Sequence, residues 1–187
     1  MIKLDQKEET KIAEGLRKRD TSAMRTFYNL YAGIFMTVCS RYIADIDDAK
    51  DVLQDAFIKI FTKIDSFEYR GSGSLLAWSK QVVVMEALGF LRNKKTIPLI
   101  YGEQLPEQDD KSDLTVEDIP KEMLLQMIQS LPDGYRVVFN LYVLENKSHK
   151  EIGEILGIRA KSSASQLSRA KSILKQQIVS YRKGVKL

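Results

Sequence analysis

Apolar residues recur at three- and four-residue steps along most of this chain. Between residues 23 and 42 the stripe is Phe27, Leu30, Tyr31, Ile34, Phe35 and Val38. Between 47 and 64 it is Ala49, Leu53, Ala56, Phe57, Ile60 and Ile64, and residues 74–92 form a third, mostly apolar stretch. After an interruption the period returns as Leu124, Leu125, Ile128 and Leu131, then Val137, Val138, Leu141 and Tyr142. Such steps line up side chains on one side of a helix, whereas a half-buried strand alternates every second residue. No Asn-Gly type of turn joins two alternating runs. The pattern predicts an all-α fold in two small helical bundles.

The interruption changes the picture in its charge. Residues 96–119, TIPLIYGEQLPEQDDKSDLTVEDI, hold two of the four prolines, one basic and seven acidic residues, and no helical period. They are expected to be an acidic linker between domains at 1–95 and 120–187; a long surface loop of one domain is the alternative. The flanks are basic, with 16 basic and 13 acidic residues before the interruption and 12 basic and five acidic after it. A length of 187 residues accommodates one ordinary domain or two small ones.

Cysteine and histidine content removes several function classes. Cys39 is the one cysteine, so a disulfide framework is impossible, and a reducing, cytoplasmic setting is the expectation. His149 is the one histidine, too few for a Cys/His zinc site, and neither a metal nor a cofactor is expected. No apolar run approaches ~18 residues, so no membrane insertion is expected. The start, MIKLDQKEETK, lacks the apolar stretch of a signal peptide. There is no Walker-type phosphate loop and no nucleophile elbow, which points away from an enzyme.

The most informative stretch is SHKEIGEILGIRAKSSASQLSRAKSIL, residues 148–174. Ser148 and Glu151 fit a capping box that starts a helix at His149. Ile152, Ile155 and Leu156 supply its buried face, and Gly157 permits the left-handed backbone that ends it. Ile158 fills the corner. A second helix starts near Ala160 with the stripe Ser163, Leu167, Ala170, Leu174 and Ile178. This is a helix-turn-helix. Its second helix carries Lys161, Ser162, Ser165, Ser168, Arg169 and Ser172 on the other side, and from Arg159 to Leu187 there are eight basic residues and no acidic one. Small residues allow close approach to a groove, cations meet phosphates, and hydroxyls and amides read base edges. A capped helical hairpin with a basic tail and no DNA partner is the structural alternative.

SLPDGYRVVFNLYVLENKSHKEIGEILGI followed by SQLSRAK closely resembles region 4 of sigma-70 family factors, and the two-domain extracytoplasmic-function group in particular. DAKDVLQDAFIKIF resembles their polymerase-binding helix, and FEYRGSGSLLAW their promoter-melting segment. The resemblance spans about residues 20–180. It implies an alternative sigma factor that binds core bacterial RNA polymerase and promoter DNA and is held by an anti-sigma factor.

The resemblance also assigns residues. Asp51, Gln54 and Asp55, with the neighbouring Ile58, are expected to dock on the clamp helices of the polymerase largest subunit. Tyr69, Arg70, Ser72, Trp78, Lys80, Gln81 and Arg92 are expected to capture the melted minus-ten region, although Trp78 taken alone reads as a core residue rather than a stacking platform. Arg159, Lys161, Ser162, Ser165, Gln166 and Arg169 are expected at the minus-35 element, and the helix around Tyr135–Tyr142 against the polymerase flap. The chain departs from the family where Gln81 stands for a usual Arg, Met85 for Asn, Gly89 for Asp, Arg159 for Ser and Ala164 for Lys, which implies a promoter preference of its own. A free-standing helix-turn-helix regulator, a nucleic-acid enzyme and an adaptor that binds polymerase without reading DNA are the rival readings.

Overall fold

The computed structural model describes residues 5–94 and 116–184, and no strand occurs among them. The chain divides into two compact units, Met1–Leu91 and Arg92–Leu187. The first holds α1 (Gln6–Arg17), α2 (Thr21–Tyr42), α3 (Ile46–Lys63), a 3-10 turn at Ile64–Ser66 and α4 (Ser74–Asn93). The second holds α5 (Lys121–Gln129), α6 (Asp133–Phe139), a π-helical extension at Asn140–Leu144, α7 (His149–Leu156) and α8 (Ala160–Arg182).

Local chemistry sets the starts of α1, α2, α3 and α7. Asp5 and Glu8 form a capping box on α1. Asp20 accepts from the Ser22 and Ala23 amides, and Asp45 from those of Asp47 and Asp48. Each cap satisfies amides that the first turn cannot pair internally, and is worth ~1 kcal/mol. Ser148 and Glu151 form the capping box foreseen for α7, and Gly157 ends that helix at φ 70°. α8 starts at Arg159 without a side-chain cap.

The core of the first unit is largely aromatic. Phe27 and Phe35 of α2 are fully buried, and Phe57 of α3 meets them at ring-centre distances of 6.1 and 5.5 Å. Tyr31 stands edge-on to Phe27 at 4.9 Å. α4 buries Leu75, Val83, Val84, Ala87, Leu88 and Leu91. Lys59 of α3 and Glu86 of α4 pair at 2.7 Å along the rim of this packing. α4 is long and apolar enough to cross a membrane by length and composition alone, which corrects the expectation that no apolar run approaches that length. Its buried stripe and its pairing through Glu86 are those of a core helix.

One helix lies outside the expectations and two expectations need correction. The helix is α1, which buries Glu9, Ile12, Ala13 and Leu16 on one side. In α5 the fully buried residue is Met127, while Leu124, Leu125 and Ile128 are half-buried. Met127 packs with Ile119 and Ile178, so α5 rotates toward α8. Tyr142, read as a core position, is exposed at 37% because the π-helical turn shifts the period after Asn140. Most of the stretch expected to be a linker lies outside the described residues. Its end, 116–119, packs on the second unit: Ile119 is buried there, and Asp118 pairs with Arg182 at 2.7 Å.

Candidate polymerase and nucleic-acid interfaces

The α7–α8 pair is held by contacts that few residue types could supply. A Cβ on Gly153 would lie 2.7 Å from the Ile158 carbonyl oxygen, so glycine lets the turn after α7 fold back against that helix. The Ile158 amide donates to the Gly153 carbonyl at 3.0 Å in the same turn. His149 Nδ1 shares a 2.9 Å hydrogen bond with the buried Ser163 hydroxyl and ties the start of α7 to α8. Its ring stacks on Tyr142 at 4.6 Å. Partial burial, and then the Lys171 charge, push the His149 imidazole below its ordinary value. Arg136, buried in α6, donates to the Gln129 and Leu131 carbonyls and pairs with Asp133, which fixes the α5–α6 turn beneath the motif.

On α8, Arg159 and Lys161 are exposed and Ser162 and Ser165 half-buried, all within the first two turns. Those turns span ~9–10 Å, which fits a major groove about 12 Å wide. Gln166 does not belong with them. It is 6% exposed, three residues after Ser163 and four before Ala170, and so sits on the buried stripe. Arg169 is half-buried and donates to the Tyr135 hydroxyl of α6 at 3.1 Å. The surface extends instead through Lys171 and Ser172, both exposed. Beyond the motif, Tyr142, Val143 and Leu144 are exposed together on the π-helical turn.

In the first unit, Asp51, Gln54, Asp55 and Ile58 are all exposed on one face of α3, Ile58 at 53%. Asp47 and Lys50 pair beside them at 2.9 Å. The Asp47 hydrogen bond and charge, with Asp45 and Asp51 adding, hold the Lys50 ammonium above its ordinary value. Tyr28, 49% exposed, packs its ring on Phe57 at 4.7 Å and adds apolar surface on α2.

The loop between the 3-10 turn and α4 carries the remaining candidates. Gly71 and Gly73 have φ of 123° and 87°, backbone that a larger side chain would strain. Tyr69 is half-buried, and Arg70 and Ser72 are exposed. Arg70 pairs with Glu68 at 3.1 Å, an exposed contact that a phosphate could displace at little cost. Trp78 is half-buried and packs on the buried Phe67 at 5.6 Å, as a wall below the loop. Lys80 is half-buried, and Gln81 and Arg92 are exposed along α4.

Two residues that the sequence reading missed shape this loop. Glu9 of α1 is 1% exposed, and its carboxylate accepts from the Gly73 amide at 2.7 Å and the Leu75 amide at 2.5 Å. Arg17, at the other end of α1, donates to the Phe67 carbonyl at 2.6 Å. An acid among Ile12, Ala13 and Leu16 on one helical stripe was the available signal. Its partners, more than sixty residues away, were not legible. Among the described residues no cluster of three or more His, Cys, Asp or Glu could hold a metal.

Comparison with known proteins finds two matches in order along the chain. The sigma-70 region 2 family model matches residues 27–97, and the sigma-70 region 4 model matches residues 121–174. The ECF RNA polymerase sigma factor SigW of Bacillus subtilis (strain 168) is 25% identical over 175 residues, covering 87% of this chain and 92% of that protein. The ECF RNA polymerase sigma-E factor of Escherichia coli (strain K12) is 25% identical over 179 residues, covering 89% and 92%. Among solved structures, that of CnrH in complex with the cytosolic domain of CnrY matches at 17% identity, 90% and 96% coverage and a TM-score of 0.47.

Proposed function

The chain belongs to the sigma-70 family, in its extracytoplasmic-function group, and from that membership we propose how its two units divide the work. It is an alternative sigma factor that directs promoter recognition with bacterial RNA polymerase. The observation that carries this is the order of the matches: region 2 on the first unit and region 4 on the second.

In the first unit, Asp51, Gln54, Asp55 and Ile58 dock on the clamp helices of the polymerase largest subunit. Carboxylates around one exposed isoleucine support this, since interfaces combine a small apolar centre with a polar rim. The loop at Tyr69, Arg70 and Ser72 captures the melted minus-ten strand, with Lys80, Gln81 and Arg92 along its path. Trp78 supports the loop from below. Unstacked bases need stacking surfaces and phosphate neutralisation, which a glycine-rich, partly basic loop supplies.

In the second unit, Arg159, Lys161, Ser162 and Ser165 enter the major groove of the minus-35 element. Arg169 braces the helix through Tyr135, and Gln166 packs inside. The surface from Tyr135 to Leu144 rests on the polymerase flap. The chain acts by binding and strand capture, without covalent chemistry, in the cytoplasm, and an anti-sigma factor is among its partners.

The division is tested with paired variants. Asp51→Ala with Asp55→Ala should weaken co-elution with core polymerase while leaving the second unit's thermal transition unchanged. Arg159→Ala with Lys161→Ala should weaken upstream-element recognition by the assembled holoenzyme and leave co-elution intact. The opposite pattern would refute the assignment.

A further inference from the structure

Two ends of the strand-capture loop are fastened to one helix. Arg17 holds the Phe67 carbonyl before the loop, and Glu9 holds the Gly73 and Leu75 amides after it. Between these anchors lie Tyr69, Arg70 and Ser72. We propose that Glu9 is a positioning residue for strand capture and Arg17 its second anchor, so that α1 sets the shape in which the loop receives the melted strand. This rests on the reading of the loop given above. It concerns a helix that lies before residue 27, where the region 2 match begins.

The chemistry favours this role. A carboxylate accepts two amide hydrogens at once, and both bonds are charge-assisted. Here the two amides flank the start of α4, where the helix dipole is positive and the first amides lack internal partners. A neutral side chain with one acceptor would weaken the pair, and the loss is larger at the buried Leu75 amide than at the more exposed Gly73 amide. Glycines 71 and 73 sit in left-handed backbone. The loop has internal bonds of its own, from the Ser74 amide to the Gly71 carbonyl at 3.1 Å and from the Arg70 amide to the Ser74 hydroxyl at 3.3 Å, and Glu9 adds a clamp from outside it. The loop feels Glu9 electrically as well: partial burial, and then the Glu9 charge, push the Tyr69 phenol above its ordinary value.

The test compares wild-type, Glu9→Gln and Arg17→Met holoenzymes assembled with core polymerase. Glutamine keeps the shape but offers one acceptor and presents a donor to the second amide. Methionine keeps the packing stem of Arg17 without its donor. Three readouts are taken: the sigma factor's affinity for core polymerase, and the holoenzyme's binding of an upstream duplex and of a fluorescent minus-ten single strand. Both variants should lose single-strand binding by roughly tenfold, the effect of one charge-assisted hydrogen bond, with the other two affinities within twofold of wild type. Parallel loss of polymerase affinity would show Glu9 to be a fold determinant only, and unchanged single-strand binding would overturn the proposal. If Glu9→Gln fails to fold, Arg17→Met decides by the same criteria. If the wild-type holoenzyme itself binds no minus-ten strand, the assignment of the loop fails rather than that of α1.

Discussion

Gly153→Ala reverses the usual rule for a helical glycine. In an open helix interior this change stabilises by ~1 kcal/mol, because alanine has the higher helix propensity. At Gly153 the new Cβ would stand 2.7 Å from the Ile158 carbonyl oxygen and 3.5 Å from the Ala160 nitrogen, and both are backbone. The oxygen must retreat by about 0.7 Å to reach an ordinary contact. That movement strains the 3.0 Å bond between the Ile158 amide and the Gly153 carbonyl, worth ~1 kcal/mol. It also pushes α8 away from the His149–Ser163 hydrogen bond, and overpacking costs ~1–3 kcal/mol on its own. After subtracting the propensity gain, the second unit should lose ~1–3 kcal/mol. Its thermal midpoint should fall by about 5 °C or more. Gly89→Ala in α4 is the internal control, because its Cβ meets nothing within 4 Å. It should raise the first unit's stability by ~1 kcal/mol. Calorimetry of the two variants, with upstream-duplex binding by the holoenzyme, gives the comparison. A Gly153→Ala protein as stable as Gly89→Ala, with intact upstream binding, would refute the close packing of the turn.

Other outcomes follow from single residues. Arg159→Ser supplies the missing cap of α8 and should stabilise the second unit by ~1 kcal/mol in denaturant unfolding, while upstream affinity falls through loss of a cation. Gln166→Ala should lower thermal stability and leave the promoter preference unchanged in a library assay; a shift in that preference would return Gln166 to the groove. Lys161→Ala should reduce the slope of upstream affinity against salt by about one unit without changing the preferred sequence. The His149 imidazole titrates lower when folded than its ordinary 6.5, so the folded state binds fewer protons. Its contribution is whole above pH 6.5 and is lost as pH falls through the folded value. The second unit's melting temperature should therefore drop more between pH 7 and pH 5 in wild type than in His149→Gln.

What was legible in the sequence was local. The α7 capping box, the Gly157 terminator and the Ser163–Leu167–Ala170 stripe depend on residues within one or two turns, and the structure reproduces them. So does the exposed face of α3, because a regular apolar stripe on one side defines the other. Other positions were settled by packing, by a distant partner or by a local irregularity of the helix. Gln166 is chemically suited to a groove, yet its position in the period buries it. Arg169 has the right charge, and its hydrogen bond to Tyr135, 34 residues away in sequence, carried no sequence signal. α1 escaped notice because its stripe includes an acid whose partners are backbone amides, and these carry no sequence signature. Tyr142 moved to the surface through a π-helical turn that a fixed period does not register.

The most direct measurement mixes the purified chain with bacterial core RNA polymerase, isolates the complex by size exclusion and transcribes a randomised promoter library with it. Co-elution together with transcripts that start at a shared pair of upstream and minus-ten sequences is the expected result. A chain that elutes apart from polymerase and binds a duplex tightly by itself would contradict it, and would make the protein a free-standing helix-turn-helix regulator.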